Sequence, residues 1–193
     1  MGPIVSFRQM KNGTREDYEL LDASERDYAV HLPQRILSAS TKLKHSLEGY
    51  PVSRLEHSLQ TATRASLDGA DEEMIVGALL HDIGDDLSPY NHAELAAAIL
   101  RPYVRAEVTW VVEQHGLFQT YYYVHHTGGD RFARDRLRGH PWFDVCAHFA
   151  ERWDQASFDP GYPSQPLAFF EPMVQRIFTR KAHDPRYDTQ PVR

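Results

Sequence analysis

The middle of this sequence carries an apolar run that ends in an adjacent histidine and aspartate, MIVGALLHD at residues 74–82. Such a run predicts a buried helix, so His81 and Asp82 come at the end of a helix embedded in the core. Burying a bare carboxylate is very costly, so Asp82 needs a cationic partner or a metal ion. An imidazole next to a carboxylate can bind metal from one turn of backbone, and the two carboxylate oxygens can bridge two ions.

Helical periodicity recurs along the rest of the chain, whereas alternating strand patterns are scarce. The sequence therefore predicts an all-α fold. Ser53 and Glu56 form a predicted capping box, Asn91 is a predicted N-cap, and Gly116 is predicted to end a helix. The segment from Tyr121 to Gly129 has no clear helical or strand pattern. We expect helices near residues 15–29, 33–43, 53–68, 71–82, 91–101, 107–115, 141–154 and 167–178.

The chain has 193 residues, which is the length of one domain with a substantial core. We expect a single domain over residues 1–193, with a metal-binding core at about residues 53–154. N-terminal helices at 15–43 and a C-terminal helix at about 167–178 flank this core, and the tail at 183–193 is expected to be loose.

Charge and cysteine content exclude several function classes. The net charge of −6 argues against nucleic-acid binding, which needs clustered lysine and arginine. The single cysteine, Cys146, lies in an apolar context and cannot form an internal disulfide bond. No run is long enough to cross a membrane, and the N-terminus lacks the apolar core of a signal peptide. We therefore expect a cytoplasmic enzyme with no nucleic-acid or membrane partner.

Six potential metal ligands lie at the ends of predicted helices. Any single histidine is more often structural than a ligand, but these side chains come from five helices and several follow apolar segments. Helical folds build metal sites from such inward-facing side chains. Nitrogen and oxygen ligands without thiolates suit iron, manganese or zinc, and histidines with carboxylates and open positions favour redox-active iron. The candidates are His57, His81, Asp82, His92, His115 and Asp154.

The order of these residues resembles the HD-domain superfamily of metal-dependent enzymes. Its motif is a histidine, an adjacent His-Asp pair and a distant aspartate, which here are His57, His81-Asp82 and Asp154. The match spans roughly residues 53–154. The resemblance implies an all-α HD-domain helical bundle with a dinuclear metal site between its central helices.

Two further histidines point to one branch of that superfamily. His92 and His115 lie between the His-Asp pair and the last aspartate, as in the branch that holds two metals. That branch contains mixed-valent diiron oxygenases, among them myo-inositol oxygenase and the phosphonate-cleaving HD oxygenases, and also dinuclear cyclic-dinucleotide phosphodiesterases. The Gly-Tyr-Pro signature of the phosphodiesterases does not follow the His-Asp pair here. The short chain and the segment LEHSLQ at residues 55–60 look most similar to the phosphonate oxygenases.

The resemblance also implies roles for the ligands. One ion would be bound by four residues and the other by three, with Asp82 shared as the bridging carboxylate. The ions would be an Fe(II)/Fe(III) pair, with manganese or another divalent metal as the alternative, and the co-substrate would be O2. The first set is His57, His81, Asp82 and Asp154, and the second is Asp82, His92 and His115.

Several positions depart from the phosphonate-oxygenase pattern. Asp85 stands where that group has histidine, Gln119 where it has lysine, and Tyr50 where it has glutamate. Two of these changes remove expected phosphonate contacts, so a dianionic substrate is disfavoured. We assign Tyr50 and Asp85, together with Asp82, as catalytic candidates. The candidate substrate contacts are Gln119, Tyr122 and His126.

The leading hypothesis is therefore a diiron oxygenase, an oxidoreductase that oxidises or cleaves a small hydroxylated substrate. A hydroxy-phosphonate, a hydroxylated amine and a polyol all remain open as that substrate. The alternative is an HD-type phosphohydrolase acting on a nucleotide or a small phosphoester. Either enzyme is compatible with a homodimer.

Overall fold

The computed structural model describes residues 2–187, and the regular secondary structure in that range is entirely helical. The predicted all-α class is confirmed. Short 3-10 helices cover Met10–Asn12, Leu43–His45, Val124–Thr127 and Ala133–Leu137. The α-helices are α1 (Arg15–Val30), α2 (Leu32–Lys42), α3 (Arg54–Leu67), α4 (Glu72–Leu80), α5 (His92–Leu100), α6 (Ala106–Tyr123), α7 (Phe143–His148) and α8 (Leu167–Phe178).

Helix α4 is the centre of the bundle, because each of its residues 74–80 is buried. It packs against α3, α6 and α8, while α5 packs against α6. Asp71 caps its first turn by accepting a hydrogen bond from the backbone N–H of Met74 at 3.0 Å. Its last residue, Leu80, is followed by the His81-Asp82 pair, so the pair emerges at the end of the most deeply buried helix.

Two predicted helix caps differ in the structure. Ser53 accepts from the backbone N–H of Glu56 at 3.1 Å, but the Glu56 carboxylate accepts from the Ser164 hydroxyl and does not complete the capping box. Asn91 occupies the N-cap of α5 without a side-chain cap, because its Oδ1 accepts from the Ser88 hydroxyl. Ser164 is far from Glu56 in the sequence, whereas Ser88 is a local partner three residues before Asn91.

The predicted helix end at Gly116 is wrong, because α6 continues to Tyr123. Glycine in a helix interior costs only about 1 kcal/mol relative to alanine. Burial of Val112 and Phe118 on either side of Gly116 outweighs that cost, since both side chains are fully inside the core. The first residues of the tyrosine-rich segment, left unassigned from sequence, therefore belong to this helix.

The predicted helix at 141–154 is split in the structure. Helix α7 continues as a π-helix over Phe149–Asp154, in which the N–H of Gln155 bonds to the carbonyl of Ala150 at 3.0 Å. Turns of this kind are rare and are frequent at functional sites. Here the π-helix carries Trp153 and Asp154 into the interior, where both are buried.

The tail predicted to be loose begins with residues that contact the body of the protein. The backbone N–H of His183 donates to the carbonyl of Pro102 at 2.7 Å, and Asp184 is buried. Residues 188–193 lie outside the described part of the chain. Within that part, no helix is both long and apolar enough to cross a membrane.

Gly84 allows the chain after the His-Asp pair to pass against the start of α5. A Cβ at this position would lie 2.6 Å from the carbonyl oxygen of His92 and 2.9 Å from its Cα. We expect Gly84→Ala to lower the free energy of unfolding by about 1–3 kcal/mol, because backbone must move to relieve the overlap. Urea denaturation in the presence of a chelator measures the change.

Gly116→Ala is the matched control for that prediction. Its Cβ would meet no atom within 4 Å, and the position is inside a regular helix. We expect it to raise the free energy of unfolding by about 0.5–1 kcal/mol. Equal effects of the two substitutions on the free energy of unfolding would show that the close contact between Gly84 and α5 does not require a glycine.

Candidate metal centre

The six candidate ligands converge at the C-terminal end of α4. His57 comes from the first turn of α3, and His92 is the first residue of α5. Five of the six are buried, whereas the His92 side chain is 23% exposed. The remaining ligands are His81 and Asp82 after α4, His115 in α6 and Asp154 at the end of the π-helix.

Asp82 lies between two pairs of histidines. Its Oδ2 atom is 3.5 Å from Nε2 of His57 and 3.4 Å from Nε2 of His81. Its Oδ1 atom is 3.3 Å from Nε2 of His92 and 3.4 Å from Nε2 of His115. Each carboxylate oxygen therefore faces its own pair of ring nitrogens, which is the arrangement of a bridging ligand.

Asp154 supplies a second carboxylate to one of these pairs. Its Oδ1 atom is 3.2 Å from Nε2 of His57 and 3.7 Å from Nε2 of His81. Gln119 Nε2 donates to the same oxygen at 2.7 Å, which fixes the carboxylate rotamer. The predicted substrate contact Gln119 thus also orients a candidate ligand.

Backbone carbonyls set the orientation of three imidazoles. The Nδ1 atoms of His57, His81 and His115 lie 2.9, 2.7 and 2.6 Å from the carbonyl oxygens of Ser157, Ala78 and Val112, respectively. A carbonyl only accepts hydrogen bonds, so each Nδ1 carries the hydrogen and each Nε2 is the nitrogen that faces the carboxylates. This is the tautomer and orientation of histidines that bind a metal through Nε2.

The donor set fits a pair of cations. Nε2 of His57 is 3.0 Å from Nε2 of His81, and the corresponding distance between His92 and His115 is 3.4 Å. Two unprotonated nitrogens repel at such distances, so each pair needs a proton or a cation between its members. Asp154 Oδ2 is buried and has no hydrogen-bond partner among the described residues. Nitrogen and carboxylate donors without thiolate suit iron or manganese.

The charges of the buried groups are consistent with a cation site. Burial lowers the pKa of His81 to about 4, so this imidazole is neutral and free to bind a cation. Burial opposes the charged form of Asp82, but the neighbouring His81 and His115 outweigh it and hold the pKa of Asp82 well below its usual range. The pKa of Asp154 is also lowered, because its contacts with His57 and His81 outweigh its burial.

His57 and His115 carry the opposite shift. Burial lowers the pKa of each, but the carboxylates of Asp154 and Asp82 raise it by a larger amount. The protein therefore attracts positive charge to both sides of Asp82. A metal ion bound by these imidazoles would meet that demand in place of a proton.

Arg54 is a residue of this site that the sequence reading missed. Its Nε lies 2.8 Å from Asp85 Oδ2, and its Nη1 lies 3.4 Å from Asp82 Oδ2. Burial works against its charge, but these carboxylates raise its pKa. The sequence did contain an indication of this role. A cation in the first turn of a helix interacts unfavourably with the helix dipole, so Arg54 is expected to pair with a carboxylate elsewhere. Its position three residues before His57 places both on one helix face.

An open cavity of about 490 Å³ leads from the surface to the candidate metal centre, where His92 forms part of its wall. The predicted residues Tyr50, Gln119 and Tyr122 line it. Phe158, not singled out from sequence, stacks on the His57 ring at 4.4 Å and on the Tyr50 ring at 5.2 Å. The complete lining is Tyr50, Arg54, His92, Gly116, Gln119, Tyr122, Tyr123, Gln155 and Phe158.

Two predicted site residues do not line the cavity. His126 is exposed, lies against the tilted ring of His125 and is not among the residues that line the cavity, so the structure does not bring this predicted substrate contact to the candidate site. The physical reason is that α6 runs to Tyr123 and the 3-10 turn after it carries His126 away from the cavity. Asp85 also lies behind the cavity wall, where it contacts Arg54 and His92.

Comparison with known proteins agrees with this geometry. Residues 54–155, more than half of the 193-residue chain, match the HD domain family. The chain belongs to the HD domain family. Both the first histidine and the last aspartate of its motif, His57 and Asp154, fall inside the matched range.

One curated HD-domain relative carries a functional name. The chain is similar to a 1-hydroxy-2-(trimethylamino)ethylphosphonate dioxygenase, described as glycine-betaine-forming, from Leisingera caerulea. The two are 41% identical over 78 residues, which cover 35% of this chain and 40% of the relative. The chain therefore matches less than half of that protein's length.

Single substitutions test the ligand assignment in this HD domain. We expect Asp82→Asn to lose both ions, because both sets share this carboxylate. His57→Ala and His115→Ala should each lose one ion, from opposite sides of Asp82. Metal content after anaerobic reconstitution with Fe(II) or Mn(II), measured by mass spectrometry, checks this. His126→Ala is the control and should keep two ions. Full metal content in both His92→Ala and His115→Ala would show that the second set is misassigned.

Arg54→Met tests the electrostatic role of the guanidinium. The Arg54 side chain is 11% exposed and faces two carboxylates. Removing one partner from such a buried set typically costs roughly 3–5 kcal/mol, so we expect a large loss of stability in the metal-free protein. Arg138→Met is the control, since this exposed side chain pairs only at the surface with Asp135. Chemical denaturation in the presence of a chelator measures the free energy of unfolding of both variants. Similar losses in the two would contradict the electrostatic role of Arg54.

Proposed function

We propose that this protein is a diiron oxygenase that uses O2 to oxidise or cleave a small hydroxylated substrate. The observation that carries the proposal is the position of Asp82, whose two oxygens each face a different pair of histidine Nε2 atoms. The HD domain family and the partial similarity to a named dioxygenase support it.

The two ligand sets of this centre differ in access. His57, His81, Asp82 and Asp154 would hold one ion in the interior, where all four are buried. Asp82, His92 and His115 would hold the other, on the side where His92 lines the cavity. When bound, an Fe(II)/Fe(III) pair supplies a Lewis acid for the substrate hydroxyl and the electrons that activate O2. The substrate therefore reaches the centre from the His92 side.

The chain's own residues orient the substrate and limit contact with water. Burial raises the pKa of Tyr122 and of Tyr123, so both hydroxyls are neutral and can donate hydrogen bonds into the cavity. Gln119 already donates one N–H to Asp154, which leaves its carbonyl oxygen available to accept from a substrate hydroxyl. Phe158 covers the His57 ring and shields this part of the centre from solvent.

The cavity lining favours a hydroxylated amine or polyol over a dianionic phosphonate. Among the residues that line it, Arg54 is the only lysine or arginine, and Asp82 and Asp85 already compensate its charge. Aromatic rings form much of the remaining wall and attract cations. The named substrate of the relative contains a phosphonate but also a trimethylammonium group, and the second of these fits the lining better.

An HD-type phosphohydrolase acting on a nucleotide or a small phosphoester is the second candidate. One observation favours it, namely the set of histidine and carboxylate donors on both sides of Asp82, which also suits two divalent ions that activate water. The two candidates differ in their need for O2.

Oxygen uptake discriminates between these functions. We expect the iron-loaded protein to consume O2 with at least one member of a panel of hydroxylated amines, polyols and hydroxy-phosphonates. Asp82→Asn should abolish the uptake. The mixed-valent pair should give an electron paramagnetic resonance signal that changes when that substrate is added. Release of phosphate from nucleotides or phosphoesters, without oxygen uptake, would overturn the oxygenase and support the hydrolase.

A further inference from the structure

His92 is held differently from the other three candidate histidine ligands. The others each place Nδ1 within 2.9 Å of a backbone carbonyl, but Nδ1 of His92 is 3.4 Å from the carbonyl of Pro89. Oδ1 of Asp85 lies closer to this nitrogen, at 3.2 Å. His92 is also the first residue of its helix and more exposed than the other ligands, so the backbone alone constrains its ring weakly.

Asp85 is fixed in place on both sides. Its backbone N–H donates to the carbonyl of Asp82 at 3.0 Å, which ties it one turn after the bridging residue. Its Oδ2 atom lies 2.8 Å from Nε of Arg54, and its side chain is 6% exposed. Nη1 of the same guanidinium lies 3.4 Å from Oδ2 of Asp82. The carboxylate that faces His92 is therefore held by groups that also surround the opposite half of the centre.

We propose that Asp85 is a positioning residue for the second metal ion, acting through His92. Its Oδ1, 3.2 Å from Nδ1 of His92, would accept the Nδ1–H in place of the Pro89 carbonyl and direct Nε2 towards Asp82. This inference rests on the proposed two-ion centre and adds a role to it. A carboxylate acceptor makes an imidazole a stronger donor to a metal than a carbonyl does, and loss of such partners typically weakens metal binding by about 10–100-fold.

The two halves of the centre would then differ in a predictable way. The ion on the side of His57 and His81 depends on imidazoles that the backbone orients. The ion on the side of His92 depends in addition on a side chain and on the charge balance between Asp85 and Arg54. The second ion should bind more weakly and leave first on chelation.

A titration of the metal-free protein with Mn(II) tests this role. The wild-type chain should bind two ions in two steps. Asp85→Ala should weaken the second step by about 10–100-fold and leave the first within about twofold. Asp85→Glu should recover part of the loss, because it restores a carboxylate acceptor. Asp86→Ala is the matched control, since Asp86 is adjacent but exposed, and it should behave as wild type.

Each other outcome has a distinct meaning. An unchanged second step in Asp85→Ala would overturn the proposal, as would an equal loss at both steps that Asp85→Glu does not recover. Complete loss of the second ion at saturating Mn(II) would overturn it in favour of direct ligation by Asp85. Electron paramagnetic resonance shows whether the second ion is bound, because only a pair of bound ions gives an exchange-coupled signal. A wild-type chain that binds one ion would instead refute the proposed dinuclear centre.

Discussion

Negative charge buried at the end of an apolar helix is the constraint on which this structure depends. Asp82 is 2% exposed and follows helix α4, whose terminal carbonyls add further negative potential. A carboxylate in that position is stable only with cations around it. Helices α3 and α5 begin near this point, α6 passes it with His115 in its interior, and the π-helix ends there with Asp154. The bundle is thus organised around a charge that its own apolar core cannot solvate.

The surroundings of this charge divide into a closed half and an open half. On the closed side, His57, His81 and Asp154 are buried, and Phe158 stacks on the His57 ring. On the open side, His92 borders the cavity. A centre with one protected ion and one accessible ion suits a reaction in which a substrate must approach without exposing both ions to water. The π-helix contributes by turning Asp154 inwards at the end of a short helix.

Sequence patterns correctly predicted the helices whose formation depends on their own residues. The apolar run before His81 and the final amphipathic segment predicted the centre of the bundle and α8, the latter with its observed bounds. Local patterns were wrong where a distant contact prevailed. Core packing stabilises α6 beyond Gly116. The Glu56 side chain binds the Ser164 hydroxyl and does not form its expected helix cap. In each case the competing contact comes from a part of the chain that is distant in sequence, which spacing rules do not consider.

The sequence by itself determined the helical class, the order of the six candidate ligands and the need for positive charge beside Asp82. These follow from periodicity, from residue chemistry and from the cost of burying a carboxylate. Only the tertiary structure decided that Arg54 contacts Asp85, that Phe158 covers His57, and that His126 stays outside the cavity. Such pairings depend on how helices far apart in the chain are packed, and a helix's own residues do not encode the residues it will meet.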